Sequence, residues 1–491
     1  MTSVLNRLQP LSGNKSAMRL TPFSILRNSF LLLFALCLLS SCDALKKVPR
    51  DEKKADEDLG EITGGKVYNP KTGKWEEPTT VDAPMDTIAW TEPAEDVAPP
   101  ITSDDVGDGM SGTPGVGKKK TSYNVAVLLP FMTNNFDEFG KSINQKSELA
   151  INLYGGMQLA FDELSSDGVK LNVSVHDTQA SASKTKSLLE NDMLKEADLI
   201  IGPIAKDNLK LVSDFAKAEK KPMVAPLSPS VTITKNNPYY LQISPGLKEH
   251  CKTITRHALD DYKAEQLVLV VRNKSAETNR LKYFQEAHQE FEGKSNVEPL
   301  KEFIVTDNTV DFSEMDVKPY IQDGKTTVFI IPSWSNESFI YSLMRKISIA
   351  KGPNKVVIYG MPQWMKYEQI SYDYYENLNL HVSSDTDINP DKEEVKNFKK
   401  KFYYKFGSVP MNEAVVGYDL MRYFGNELKR GGTQFQQTID QNGKDLLHTR
   451  INLMPVAPKD AKSEDYSKVE RYENQYVNIL EFKDYYFQLA E

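Results

Sequence analysis

From residue 123 onward, short apolar runs alternate with longer segments in which apolar residues recur every three or four positions. Runs such as YNVAVLLPF and DLIIGP have the length of β-strands, and segments such as ELAINLYGGMQLAFDELSS have the period of amphipathic helices. Strands rich in β-branched residues that alternate regularly with helices predict a sheet of parallel strands joined by right-handed crossovers. The pattern therefore indicates an open α/β sheet with helices on both faces.

The alternation begins again after YLQISPG. The second series contains the apolar runs QLVLVVRN, TTVFIIPS, KVVIYGMP and LNLHVSS, and the chain ends in strand-like YVNILEFKDYYFQLA. Single helices are also predicted over SKTKSLLENDMLKEA and over VKPYIQDG. Two α/β lobes of similar size follow, and the loops at the carboxyl ends of their strands are where ligands bind in such sheets.

The amino-terminal 41 residues have the features of a signal peptide. The run FLLLFALCLL at residues 30–39 is about half the length that a membrane-spanning helix needs, and it follows Arg19 and Arg27. The next residues, LSSC, resemble the bacterial lipobox, which implies cleavage before Cys42 and lipidation of that cysteine. We therefore expect residues 1–41 to be removed and Cys42 to anchor the protein to a membrane.

Residues 42–121 are predicted to form a flexible tether, because they are rich in Pro, Gly and charged residues and show no sustained periodicity. Two short islands, around Trp75 and Trp90, could dock elsewhere or simply face solvent. Residues 112–118, GTPGVGK, match most of a phosphate-binding loop. Lys119 occupies the position of the required hydroxyl residue, and no strand precedes the glycines, so we do not expect nucleotide binding.

Charge and cysteine content narrow the choice of function. The 491 residues include 60 Lys and Arg against 68 Asp and Glu, a net charge of −8 that becomes −12 once the signal is removed. This acidity argues against general nucleic-acid binding. After cleavage Cys251 would be the only free thiol, so no intramolecular disulfide can form, and its helical context predicts a small buried residue.

Five segments in register resemble the type I periplasmic binding proteins, the superfamily of the leucine/isoleucine/valine-binding protein. The segments are NVAVLLPF, YGGMQLAFDEL, LIIGPIAKDN, PMVAPLSPSVTIT and YYLQISPG. The resemblance implies two Rossmann-like lobes, linked by three crossovers, that close on a ligand by a hinge. It places residues 122–243 and about 385–445 in lobe 1, and 244–384 and about 446–491 in lobe 2, so that 122–491 forms one periplasmic-binding-protein-like domain.

The resemblance also implies ligand-binding positions on lobe 1. In relatives that bind amino acids, the segment matched here by Ser228, Ser230, Val231 and Thr232 holds the ligand carboxylate. The neighbouring loop differs, because it contains Lys206 where the family has small or hydroxyl residues. Lys206 is equally compatible with holding an anion and with starting a solvated helix.

On lobe 2 the family's acidic partner for a ligand ammonium group should fall near residues 360–364, where this chain has no carboxylate. A buried ammonium group would remain unpaired there, so a typical free amino acid is not the expected ligand. The two strand-end loops instead offer Ser333, Trp334, Gln363 and Trp364. Such residues suit stacking against sugars or apolar groups, and packing of either Trp inside the protein is an equally good interpretation.

Nothing in the sequence selects an enzyme, a metal site or a cofactor. The six histidines show no metal-binding spacing, and no G-x-S-x-G nucleophile motif occurs. His176 and Asp177 end a strand, where a satisfied structural pair is the more common outcome.

Two functions remain open. The first is a solute-binding lipoprotein of the ABC-transporter type in the cell envelope, with a small-molecule ligand and an ABC permease as partner. The second is a regulatory or scaffolding lipoprotein of peptidoglycan synthesis, which would use the same fold to bind a peptidoglycan synthase. The Ser-rich segment favours a ligand, whereas a tether with a reach of roughly 50 Å and the missing carboxylate favour a protein partner.

Overall fold

The computed structural model describes residues 117–133, 144–294, 296–307, 309, 311–457 and 468–490, together with short strands at 67–69 and 74–76. The chain divides into two units, Met1–Gly107 and Asp108–Glu491. In the first unit, β1 (Val67–Asn69) and β2 (Lys74–Glu76) form an antiparallel hairpin. This hairpin lies within the predicted tether, in the island that contains Trp75. The predicted signal peptide, Cys42 and Trp90 lie outside the described residues.

The first sheet of the second unit has seven strands in the order β15-β16-β7-β6-β5-β3-β4. Its strands pair in parallel except for β15, which is antiparallel to β16. The strands are β3 (Tyr123–Leu129), β4 (Leu171–Asp177), β5 (Leu199–Ile201), β6 (Met223–Ala225), β7 (Tyr240–Gln242), β15 (Leu453–Val456) and β16 (Arg471–Asn474). The helices of this lobe are α1 (Gln145–Ser166), α2 (Ala182–Leu189), α3 (Asp192–Lys195), α4 (Lys206–Ala218), α9 (Glu393–Phe406) and α10 (Asn412–Gly431).

The second sheet also has seven strands, in the order β18-β17-β12-β11-β10-β8-β9. Its strands are β8 (Leu267–Arg272), β9 (Lys301–Val305), β10 (Thr327–Ile330), β11 (Val356–Gly360), β12 (Leu380–Ser384), β17 (Asn478–Lys483) and β18 (Tyr486–Leu489). The pairs β12–β17 and β17–β18 are antiparallel, and the other pairs are parallel. Helices α5 (Leu247–Asp261), α6 (Ser275–Glu292), α7 (Glu337–Ala350) and α8 (Tyr372–Asn377) belong to this lobe. A separate two-stranded ribbon joins β13 (Lys444–Asp445) and β14 (Arg450–Ile451).

The predicted two-lobe α/β fold is therefore confirmed, and the chain crosses between the sheets three times, after β7, after β12 and between β16 and β17. One predicted boundary is wrong. The resemblance implies that residues from about 446 onward belong to lobe 2, but β15 and β16 complete the sheet of lobe 1, and of the strands in this region β17 and β18 join lobe 2. The partner of a terminal strand depends on long-range pairing, here of β16 with β7, which local periodicity does not encode.

The folded region also begins earlier than the predicted residue 122. Thr433 donates its backbone N–H to Lys118 O at 3.2 Å, and Lys120 Nζ lies 2.7 Å from the Asp198 carboxylate. Lys118 ends the sequence that resembles a phosphate-binding loop, and residues 117–120 contain no helix. Residues 117–118, the part of this motif that the structure describes, therefore lie against the segment that follows α10.

Two predicted helices differ from the structure. The segment 182–195 is divided into α2 and α3, because the Asn191 side chain accepts the backbone N–H of Met193 and starts a new helix. The segment predicted to be helical from Val317 contains only a single 3-10 turn, Lys318–Tyr320, with Pro319 at its start. Proline is tolerated in the first turn of a helix, where its missing N–H has no partner to lose, but it does not make the turn continue into a longer helix.

The paired glycines of α1 are explained by close packing against α10. A Cβ atom added at Gly156 would lie 1.8 Å from Ala414 O, and one added at Gly417 would lie 1.9 Å from Leu153 O. Only glycine allows the two helix backbones to approach so closely. The contact fixes α1, whose amino end lies at the carboxyl end of β3, and so helps to position the loops around the candidate site.

Candidate functional site

The loops that follow the parallel strands of each sheet form the candidate site. On lobe 1 they follow β3, β4, β5 and β6, and on lobe 2 they follow β8, β9, β10 and β11. The three crossovers tie the two sheets together at one side of these loops. A ligand between the lobes would therefore meet the residues at the carboxyl ends of both sheets.

The loop after β6 contains the predicted hydroxyl donors. Ser230 Oγ lies 3.1 Å from Thr232 Oγ1, and the Ser230 backbone N–H points to Ser228 Oγ at 3.4 Å. Ser228 is buried, whereas Thr232 and Val231 are exposed. A Cβ at Gly246 would lie 2.8 Å from a methyl carbon of Val231, so this loop rests against the first crossover. Ser230 and Thr232 thus present hydroxyl groups beside the hinge.

The loop after β5 leads into α4, whose first residue is Lys206. The side chain of Lys206 is exposed and forms no ion pair within the described part of the chain. Ala205 precedes it and provides no side-chain cap for the helix. The first turn of α4 therefore keeps its free N–H groups next to an unpaired ammonium group.

Asp177, at the end of β4, has a structural role. Its carboxylate accepts hydrogen bonds from the backbone N–H groups of Met132, Thr133 and Gln179 at 2.8–3.0 Å, and from the Thr133 hydroxyl at 2.8 Å. Burial alone raises the pKa of Asp177, but these bonds outweigh it and lower the pKa. The carboxylate holds the loop after β3 and is not available to a ligand cation. His176 bonds to Ser174 and makes no pair with Asp177.

Two of the residues predicted on lobe 2 are buried. Trp364 is completely buried, its Nε1–H donates to Ser333 O at 2.7 Å, and its ring leaves no room for a side chain at Gly360. Ser333 is also buried, and its hydroxyl donates to Glu277. In this conformation both side chains are therefore parts of the lobe 2 core. Gln363 is exposed, on the 3-10 turn Pro362–Lys366.

Trp334 is partly exposed, but one face of its ring is covered. The guanidinium carbon of Arg280 lies 3.5 Å from the ring centroid, and Arg280 Nη1 donates to Pro332 O at 2.5 Å. The Tyr367 hydroxyl donates to Trp334 O at 2.7 Å and fixes the backbone of the loop. The stack orients Arg280 rigidly at the carboxyl end of β10. Sequence reasoning missed Arg280, because an arginine in the second turn of a helix carries no distinctive signal.

Arg272, at the end of β8, pairs with Glu277 of α6. Arg272 Nε donates to Glu277 at 2.8 Å, its backbone N–H donates to the same carboxylate at 3.0 Å, and its Nη2 donates to Ser335 Oγ at 3.0 Å. Burial raises the pKa of Glu277, but the bonds from Arg272 and Ser333 outweigh this effect and lower the pKa. Glu277 is thus ionised and fully occupied.

Buried polar groups connect the three crossovers. Glu473, on β16, accepts the backbone N–H of Gly246 at 2.8 Å and pairs with Arg471. His250 Nδ1 lies 2.9 Å from Ser383 Oγ on β12. Burial lowers the pKa of His250 to about 4, only partly opposed by the charge of Asp385. The crossovers are therefore joined to one another by side chains as well as by the chain itself.

Two cavities in lobe 2 lie away from these loops. The larger, of about 650 Å³, lies at the amino ends of β11 and β12 and is lined by residues that include His257, Asp261 and His381. A second, of about 490 Å³, lies between α6 and the segment before β9. Neither is lined by a predicted site residue. Within the described residues, no group of three or more His, Cys, Asp and Glu side chains is arranged to hold a metal ion.

The fold agrees with comparisons to known proteins. The family "Receptor family ligand binding region" matches residues 152–448, more than half of the chain. The chain belongs to this family. This family consists of type I periplasmic-binding-protein-like ligand-binding domains and not of enzymes, as the sequence predicted. A search of curated proteins finds no match.

Solved structures share the fold of this ligand-binding region. A branched-chain amino acid ABC transporter periplasmic ligand-binding protein from Burkholderia xenovorans LB400 is 12% identical, with a TM-score of 0.53, and the match covers 75% of this chain and 95% of that one. An ABC-type branched-chain amino acid transporter from Rhodopseudomonas palustris CGA009 is 13% identical, with a TM-score of 0.50 and the same coverages. At this identity the likeness establishes the fold alone. No helix in the described regions has the length and apolar character needed to cross a membrane.

Proposed function

We propose that this protein is an extracytoplasmic solute-binding lipoprotein that holds a small ligand between its two lobes. The observation that carries the proposal is the presence, at the carboxyl ends of both sheets, of partly or fully exposed polar groups that can form further hydrogen bonds. They are the hydroxyls of Ser230 and Thr232 on lobe 1 and the guanidinium of Arg280 on lobe 2. The structural neighbours named as ABC-transporter proteins support the same type of function.

The ligand is proposed to differ from a typical free amino acid. A bound α-ammonium group needs a free carboxylate, and the carboxylates of Asp177 and Glu277 are occupied by hydrogen bonds from the protein. Of the predicted site residues, Lys206, Ser230, Val231, Thr232, Trp334 and Gln363 are at least partly exposed at strand-end loops. Ser228, Ser333 and Trp364 are buried and would support these loops from the protein interior.

A ligand screen tests the proposal. Thermal melting of the full-length protein should shift upward with at least one member of a panel of sugars, peptides, organic acids and cell-wall fragments, because ligand binding stabilises the folded state. Ser230→Ala should reduce that shift, whereas Ser166→Ala, at the far end of α1, should leave it unchanged. No shift with any compound would contradict solute binding.

The proposal includes a lipid anchor at Cys42 and an ABC permease as partner. Cys42→Ala should move the protein from the membrane fraction to the soluble fraction, while Cys251→Ala should leave it with the membrane. Continued tight membrane association of the Cys42 variant would contradict the anchor. Permease and ATPase genes beside the gene for this protein would support the transport role.

A second candidate is a scaffold for a peptidoglycan synthase, and one surface favours it. Tyr403, Tyr404, Val409 and Met411, at the end of α9 and in the loop that follows it, are exposed apolar residues. Clustered exposed aromatic residues are typical of protein-binding surfaces. A photo-crosslinker at residue 404 should then capture the synthase, whereas one at Tyr372 on lobe 2 should not. Equal capture at both positions, or at neither, would contradict this role.

A further inference from the structure

Three charged side chains at the carboxyl end of the lobe 2 sheet do not cancel one another. Arg272, Glu277 and Arg280 lie together around the loop after β10, and we call them the arginine cluster. The cluster contains two guanidinium groups and one carboxylate, so these three side chains together carry one net positive charge. The carboxylate is committed to Arg272, from which it accepts both side-chain and backbone N–H groups.

Arg280 therefore has no carboxylate partner among the described residues. Its Nη1 donates to Pro332 O, and its flat face lies on the Trp334 ring at 3.5 Å. These contacts fix the plane of the guanidinium and leave its other N–H groups without an acceptor among the residues that the structure describes. A partly buried, unpaired charge is costly, so an anion at this position would bring a large gain in free energy.

Lobe 1 adds Lys206 at its strand-end loops, with Asp207 beside it in the first turn of α4. Asp177 is saturated by four hydrogen bonds from the loops that it holds. Lys206 has no ion pair in the part of the chain that the structure describes. The Asp177 carboxylate is thus not free to meet a ligand, whereas Lys206, Ser230 and Thr232 are at least partly exposed.

We infer that the ligand carries a carboxylate or phosphate group and that Arg280 recognises it on lobe 2, while Ser230 and Thr232 bind its uncharged polar groups on lobe 1. This inference rests on the proposed solute-binding function. Arginine suits the role because its planar fork donates two parallel hydrogen bonds to either anion. Trp334 acts as the positioning residue, since its ring holds the fork in place.

Matched ligand pairs that differ only in charge provide the test. N-acetylmuramic acid and N-acetylglucosamine differ by a carboxylate-bearing lactyl group, and glucose 6-phosphate and glucose differ by a phosphate. Titration calorimetry of the full-length protein should show binding of the anionic member of at least one pair, and binding at least tenfold weaker for its neutral counterpart. The pair that binds identifies which anion is recognised.

Variants of Arg280 complete the experiment. Arg280→Gln should weaken binding of the anion about ten- to a hundredfold, the effect expected for loss of a charged hydrogen bond. Arg280→Lys keeps the charge without the fork and should retain the preference for the anion with weaker binding. Arg256→Gln, an exposed arginine on α5, should change nothing. Circular dichroism and melting temperature establish whether each variant is folded.

Binding of a neutral ligand with equal affinity by the natural protein and Arg280→Gln would overturn the inference and leave solute binding intact. Loss of the anion preference in Arg280→Lys, in a folded protein, would also overturn it. Absence of binding by every compound, charged or neutral, would overturn both the inference and the proposed function.

Discussion

The close contact between α1 and α10 predicts that two adjacent glycines respond oppositely to the same substitution. In Gly156→Ala the new Cβ would lie 1.8 Å from the backbone oxygen of Ala414, and Cβ contacts below 3.0 Å essentially do not occur. The helices must therefore separate by about 1 Å. In Gly155→Ala the nearest atoms belong to the Phe402 ring at 3.1 Å, and that side chain can turn away.

The expected magnitudes follow from this geometry. Alanine improves helix propensity by about 1 kcal/mol at both positions. Forcing two packed backbones apart costs about 3 kcal/mol, the upper range for overpacking. Gly156→Ala should therefore lower the free energy of unfolding by about 2 kcal/mol, whereas Gly155→Ala should leave it unchanged or raise it by about 1 kcal/mol.

Thermal melting followed by circular dichroism measures the difference. For a lobe of this size, about 2 kcal/mol corresponds to a loss of roughly 4–8 °C in melting temperature. Gly155→Ala is the matched control, since it makes the same chemical change one residue away. If Gly156→Ala melted at or above the temperature of the natural protein, the close backbone approach inferred here would be refuted.

Three further predictions concern buried polar groups. His250 is neutral in the folded protein because burial lowers its pKa to about 4. The free energy of unfolding should therefore fall by about 3 kcal/mol as pH drops from about 6.5 to 4. Urea unfolding of His250→Gln should lack this pH-dependent loss. If the variant showed the same pH dependence as the natural protein, the burial of a neutral His250 would be contradicted. Glu473→Ala should cost about 3 kcal/mol in urea unfolding, because it leaves the buried Gly246 N–H without an acceptor and leaves Arg471 only the longer contact with Glu470, at 3.8 Å. The more exposed Glu470→Ala should cost about 1 kcal/mol or less. Equal effects of the two substitutions would refute the contact between Glu473 and Gly246. Cys251 is fully buried, and burial raises the pKa of its thiol. Maleimide should therefore label Cys251 only in denaturant. Rapid labelling of Cys251 in the folded protein would contradict the structure.

Local patterns were sufficient to predict most of the fold. Apolar runs such as those of β3 and β8 are buried on both faces of a parallel sheet, so their composition alone identifies them as strands. The restart after β7 correctly indicated a second lobe. The wrong lobe boundary depends on contacts distant in sequence, since β16 pairs with β7 across more than two hundred residues, whereas the two helix errors have local causes at Asn191 and Pro319.

The candidate site was predicted less completely. The hydroxyls of Ser230 and Thr232 follow from a segment with a recognisable order of residues, and the structure brings them within 3.1 Å. For tryptophans, the sequence cannot distinguish a ligand-facing ring from a packed one. Burial assigns Trp364 to the core and leaves Trp334 partly exposed under Arg280.

By itself, the sequence determined the α/β class, the two lobes and the absence of a free carboxylate near residues 360–364, because periodicity and residue type are local properties. Only the tertiary structure decided which charges remain unpaired. Arg272 and Arg280 lie near Glu277 in the sequence, but in the described structure only Arg272 donates hydrogen bonds to it, and Arg280 lies on the Trp334 ring. The net charge at a site depends on which charged side chains lie next to one another, and the tertiary structure determines these neighbours.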